Sequence, residues 1–181
     1  AGVTANATTT RPTDSIWDGG GANNNFKTDA NWNNDVYPDQ SISTKLSFAG
    51  TTRLSPNNDW AAGSTFNEIF FDSGAGAFTI GGNAFNIRTK IVNNDDSLQT
   101  INNDLTFPAQ EVELKAESGA MTLGGTIANG GFRLTSSGAN TLTLNGAISG
   151  AGDLLMYGSG TLVLNGANTF NPGAAAAYLV N

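Results

Sequence analysis

From Ser118 to Phe170 the chain reads SGAMTLGGTIANGGFRLTSSGANTLTLNGAISGAGDLLMYGSGTLVLNGANTF, and laid on itself this stretch repeats. Met121-Thr122-Leu123-Gly124-Gly125-Thr126-Ile127 returns as Leu142-Thr143-Leu144-Asn145-Gly146-Ala147-Ile148, and again as Leu162-Val163-Leu164-Asn165-Gly166-Ala167. Leu123 to Leu144 is 21 residues and Leu144 to Leu164 is 20. Short alternating strands at such a period, separated by Gly and Asn corners, are the signature of a β-solenoid in which each repeat is one coil. In Leu142-Thr143-Leu144 the two leucines share one face and the threonine takes the other, because strand side chains alternate. A three-residue strand buries too little on its own. Stacked about 4.8 Å from an equivalent neighbour it shares a continuous core and a backbone hydrogen-bond ladder.

Working towards the amino end, the same pattern extends. Ile80 to Ile101 is again 21 residues, and Ala77-Phe78-Thr79-Ile80, Ala84-Phe85-Asn86-Ile87 and Lys90-Ile91-Val92 read as short strands. Glu111-Val112-Glu113-Leu114-Lys115 alternates cleanly, which predicts Val112 and Leu114 inward and the charges outward. Ser43 to Asp72 carries Leu46, Phe48, Leu54, Phe66, Ile69, Phe70 and Phe71 as the first coils. The expected fold is all-β, a parallel β-helix of about 21-residue coils with an N-terminal aromatic cap. The alternative is a β-sandwich or jelly roll, since short strands at 8–12-residue spacing also describe one. Self-similarity in sequence favours the solenoid.

The segments Asn140 to Gly150 and Gly160 to Phe170 resemble the autotransporter-associated β-strand repeat of bacterial surface and secreted proteins. Trp17-Asp18-Gly19-Gly20-Gly21, Ala30-Asn31-Trp32 and Leu46-Ser47-Phe48-Ala49-Gly50 resemble what often precedes such repeats. The resemblance implies a secreted bacterial protein, extracellular or at the cell surface, built as a β-helical scaffold with no shared catalytic residues. Autotransporters end in a membrane β-barrel, and no segment here supplies one.

Composition narrows the classes. With 181 residues, 13% charged, and 23 Gly, the chain suits one strand-rich domain and disfavours helical bundles. A net charge of −7 with only eight Lys plus Arg argues against a nucleic-acid partner. No apolar run reaches membrane-helix length, so no membrane insertion is expected. The absence of Cys and His excludes Ser-His-Asp and Cys-His chemistry and removes the commonest zinc ligands. Asp72, Asp95, Asp96, Asp104, Glu111 and Glu113 remain for acid–base work, but no spacing singles out a pair. The chain reads as a non-enzyme without cofactor.

Residues 1–15, AGVTANATTTRPTDS, read as an extended arm, and 16–181 as the solenoid, with 16–42 its cap and 43–181 its coils. The Thr-rich arm suits strand addition to an exposed sheet edge. Val3, Thr4, Thr8, Thr9 and Thr10 are candidate inter-subunit contacts, together with Tyr178, Leu179 and Val180 in the last strand. Trp17, Trp32 and Tyr37 sit in a turn-rich segment and are read either as the plug of the solenoid's open end or as a sugar-stacking platform. Trp60 is read as a packing anchor, and Asn93-Asn94-Asp95-Asp96 as a solvated turn rather than a Ca²⁺ site. The expected function is structural: a chain whose partner is itself, polymerising into an extracellular filament or surface layer. The alternative is an adhesin or glycan-binding passenger whose partners are surface glycans.

Overall fold

The structure, a computed structural model, describes residues 10–170 and the strand Tyr178–Val180. In chain order the strands are β1 (Asp14–Trp17), β2 (Lys45–Phe48), β3 (Asn57–Asn58), β4 (Ser64–Phe71), β5 (Thr79–Gly82) and β6 (Phe85–Asn93). They continue as β7 (Gln99–Ile101), β8 (Leu105–Thr106), β9 (Val112–Ala116), β10 (Met121–Leu123), β11 (Ile127–Ala128) and β12 (Leu134–Gly138). The last are β13 (Thr141–Leu144), β14 (Ile148–Ser149), β15 (Leu154–Tyr157), β16 (Thr161–Leu164) and β17 (Tyr178–Val180).

These strands wind into a parallel β-solenoid whose turns are about 22 residues apart. One face runs β1-β2-β4-β6-β9-β12-β15-β17 and a second β16-β13-β10-β7-β5-β3. A short third face links the start of β6 to β8, β11 and β14. Leu123 lies opposite Leu144 and Leu144 opposite Leu164, so the spacings of 21 and 20 are coil lengths. Among the described residues the named strands pair in parallel, as Ile69 with Ile91 and Ile91 with Leu114, whereas a sandwich is built from antiparallel sheets. The first turn is longer: Asp14 faces Lys45, 31 residues on, and the extra chain forms 3₁₀ turns at Asp29–Asn31 and Asn33–Asp35.

The core follows from alternation. Leu46, Ile69, Ile91 and Leu114 stack on the first face, and Ile101, Leu123 and Leu144 on the second, all buried. Val112 and Leu114 point inward as their sequence pattern predicts. Corners carry glycine because coils touch there: a Cβ on Gly146 would collide with the carbonyl oxygen of Gly125 one coil back, and one on Gly166 with that of Gly146. This contact is the physical content of the repeated Asn-Gly corner.

Candidate functional site

The two ends of the solenoid differ, and the sequence dictates the difference residue by residue. At the amino end, Trp17, Phe26, Trp32, Phe48 and Trp60 are all fully buried. Trp17 meets Trp32 edge-on at 5.2 Å between ring centroids, and Phe26 meets Trp60 at 5.1 Å. Edge-to-face geometry of this kind adds to the apolar area removed from water. Here the aromatic cluster covers core that the first coil would otherwise expose.

Asparagines cap part of the backbone at this end. The Asn31 carbonyl accepts from the amides of Asp18 (3.0 Å) and Gly19 (3.2 Å). Its side chain accepts from the Gly21 amide at 3.0 Å and donates to the carbonyls of Asn23 and Asn25, both at 2.9 Å. Gly21 must be glycine for this, since a Cβ there would sit 2.6 Å from Asn31 Oδ1. Asn33 Oδ1 accepts from the Ile16 amide at 2.8 Å, and Asn23 Oδ1 accepts from the Asn25 amide at 2.9 Å. The amides of Ile16, Asp18 and Gly19, which could otherwise recruit another strand, are occupied by Asn31 and Asn33 of the same chain. Sequence reading picked out the aromatics and missed Asn31 and Asn33; the Ala30-Asn31-Trp32 triplet was the available signal.

The carboxyl end is built differently. Among the described residues β16 has one strand neighbour, β13, and β17 has one, β15. Leu142 and Leu144 are 1% exposed, whereas Leu164, stacked on Leu144, is 39% exposed and Leu162 only partly buried. Tyr157 is exposed, and Phe170 packs partly buried against the core. Asn165 Nδ2 donates to Asn145 Oδ1 at 2.8 Å, extending a corner column onto the last coil. This end carries the same inward leucines as the interior coils and presents them to solvent.

The flanks also differ. On the first face Asp14, Lys45, Glu68, Lys90 and Glu113 occupy one column on successive strands, alternating in sign. Lys45 Nζ lies 3.5 Å from Asp14 and Lys90 Nζ 3.8 Å from Glu68, and each ammonium stands 5.2 Å from the Phe70 ring. On the second face the equivalent outward column is Thr79, Thr100, Thr122, Thr143 and Val163, without charge.

The carboxylates are engaged individually. Glu113 accepts from the Ser137 hydroxyl at 2.6 Å, Glu111 from that of Thr135, and Asp104 from Thr126 at 2.8 Å. Burial pushes the Asp72 carboxyl up, opposed by the Lys45 charge and the Ser47 hydroxyl. Burial acts upward on Asp95 too, but hydrogen bonds from Ser97, Gly74 and Ala75 outweigh it and hold that carboxyl below its usual range. Asp95 is 4% exposed and bonds the amides of Gly74 and Ser97, each at 2.8 Å. The Asn93 to Asp96 turn is therefore not the solvated turn expected from its polarity: Asn93 and Asp95 face inward and satisfy the backbone of neighbouring coils. Among the described residues no group of three or more His, Cys, Asp or Glu could hold a metal ion, and no helix is long and apolar enough to cross a membrane.

The candidate contact residues fall as follows. Trp17 and Trp32 present no face for a sugar, because both are sealed in the core. The Tyr37 ring is partly buried, with the Arg11 guanidinium 3.2 Å from its centroid and Trp60 against it. The Trp17 and Trp32 rings are therefore spent on packing, while Tyr37 stays partly exposed beside Arg11; Trp60 is fully buried against Phe26 and Phe66. Val3, Thr4, Thr8 and Thr9 lie outside the described residues, and Thr10 is exposed. The arm expected over 1–15 overlaps β1, which begins at Asp14 because Asp14 and Ser15 pair with Lys45 and Leu46. Tyr178–Val180 form a strand paired to β15 of the same chain. No protein-family model, no curated protein and no solved structure matches the chain.

Proposed function

We propose that this chain is a non-enzymatic structural protein that self-assembles into an extracellular filament or surface layer. One observation supports the reading: among the described residues the solenoid buries an aromatic cluster at its amino end, while β16 pairs on one side only and carries the partly exposed Leu162 and Leu164. A strand edge with apolar side chains above and below it recruits another strand. A contact between unlike surfaces that does not close on itself generates a filament. The secreted, bacterial surface setting rests on the resemblance of Asn140 to Gly150 and Gly160 to Phe170 to the autotransporter-associated repeat. Negative-stain electron microscopy with light scattering across concentration tests the reading. Filaments or sheets of uniform width are expected; a monodisperse monomer at every concentration would overturn it.

A further inference from the structure

Three corners of the chain read Asn-Gly: Asn129-Gly130, Asn145-Gly146 and Asn165-Gly166. The pair is chemically labile because glycine lacks a Cβ, so its amide nitrogen can reach the side-chain carbonyl carbon of the asparagine before it. At two of these corners the fold itself requires the pair. The first position belongs to an asparagine ladder, in which Asn165 Nδ2 donates to Asn145 Oδ1 at 2.8 Å. The second must be glycine, since a Cβ on Gly146 would collide with the Gly125 carbonyl and one on Gly166 with that of Gly146.

The three pairs stand in unlike surroundings. Asn129 is buried and both ends of its side-chain amide are held. Its Nδ2 donates to the Gly152 carbonyl at 3.0 Å, and its Oδ1 accepts from the amides of Gly131 at 3.1 Å and Gly152 at 3.2 Å. Turning its Cγ onto Gly130 would break these bonds. Asn145 and Asn165 are exposed and share the one bond between them. Among the described residues the Gly146 and Gly166 amides have no hydrogen-bond acceptor, so neither nitrogen is held away from attack. Asn102 supplies the remaining comparison: it is exposed in the same corner column, yet the next residue is Asn103, whose side chain hinders attack.

We infer that Asn145 and Asn165 are sites of spontaneous deamidation in the folded protein and that Asn129 is locked against it. The Gly146 or Gly166 amide nitrogen, losing its proton to solvent, bonds to the asparagine Cγ; the Cγ–Nδ2 bond breaks and ammonia leaves. Water then opens the cyclic imide at either carbonyl, giving aspartate or isoaspartate. Each conversion adds negative charge to a chain of net charge −7. With both converted, two carboxylates lie on adjacent strands about 4.8 Å apart, where like charges repel. The isoaspartate product also inserts a methylene into the backbone at a corner where coils touch. The corner is thereby a charge switch set by elapsed time and pH, and it stands whether or not the chain assembles.

The test compares the folded chain with the chain unfolded in denaturant, both held in mildly alkaline buffer. Peptide mapping by mass spectrometry follows amide-to-acid conversion at each asparagine, and circular dichroism verifies the fold. In the folded chain Asn145 and Asn165 are expected to convert, with Asn129 and Asn102 slower by roughly tenfold or more, because hydrogen bonds must open at Asn129. In the unfolded chain Asn129 is expected to match Asn145 and Asn165, while Asn102 stays slow. A chain carrying both Asn145→Asp and Asn165→Asp is expected to lose more stability than the two single variants summed. Asn145 or Asn165 staying intact in the folded chain while the unfolded chain converts would overturn the inference. So would conversion of folded Asn129 at their rate, and additive effects of the two aspartates would overturn the switch.

Discussion

The amino end closes with five aromatic side chains and three asparagines, while the carboxyl end repeats an interior coil whose leucines, among the described residues, are less buried. Both ends face the same problem, a last coil whose inner face and backbone edge would meet water. One solves it inside the chain. The other, among the described residues, holds Leu162 and Leu164 partly in solvent. The contrast teaches where the fold is anchored and, on the proposed reading, where assembly would act.

Truncations give the largest contrast. Trp32→Ala or Phe48→Ala, each removing a fully buried ring, is expected to cost about 3–5 kcal/mol in denaturant unfolding. Leu164→Ala, at a site 39% exposed, is expected to cost under about 1 kcal/mol in the dilute protein. Equal costs at the two ends would break the comparison.

An intermediate effect is expected midway along the rod, where Asp95 joins neighbouring coils. Asp95→Ala leaves the amides of Gly74 and Ser97 without their acceptor and is expected to cost about 1–3 kcal/mol. Because the folded carboxyl lies below its usual range, its stabilisation is complete above the unfolded pKa and is lost as pH falls through the folded one. Asp72 works the other way: its raised folded pKa gives a contribution present below the unfolded value and lost as pH rises through the folded one. Unfolding measured from pH 7 downward is therefore expected to fall less steeply in Asp95→Asn than in the parent chain.

A smaller difference separates two tryptophans of the closed end. Trp32 Nε1 donates to the Phe26 carbonyl at 2.7 Å, whereas Trp17 Nε1 is buried with no partner. Trp32→Phe is expected to cost about 1–2 kcal/mol more than Trp17→Phe, since only the former orphans a buried carbonyl. Smallest of all is Lys90→Ala in the charge column, about 0–1 kcal/mol, because its ammonium and Glu68 are partly solvated.

The coils were legible because repetition states its own geometry: Leu123, Leu144 and Leu164 are in register at the spacing seen in the letters. The sealed end was half legible. Trp17 and Trp32 announced a special segment, but an aromatic in a polar turn reads the same whether it faces sugar or core, and only packing decides. Asn31 gave no periodic signal because its role is set by contacts with Asp18, Gly19 and Gly21 across a turn. Asp95 misled for a similar reason: an acidic turn is usually solvated, and its burial depends on the Gly74 amide one coil away. The charge column from Asp14 to Glu113 is scattered in sequence and becomes a column only once coil lengths are known.

Hydrogen exchange, read by residue in dilute and in assembled protein, tests the central contrast most directly. The amides of Trp17, Phe48 and their neighbours are expected to be equally protected in both states. Those of Leu162 and Leu164, which face away from β13, should exchange fast in dilute protein and slow markedly on assembly. Strong protection of the Leu162 and Leu164 amides in the dilute monomer, or protection gained only at the amino end, would contradict the account.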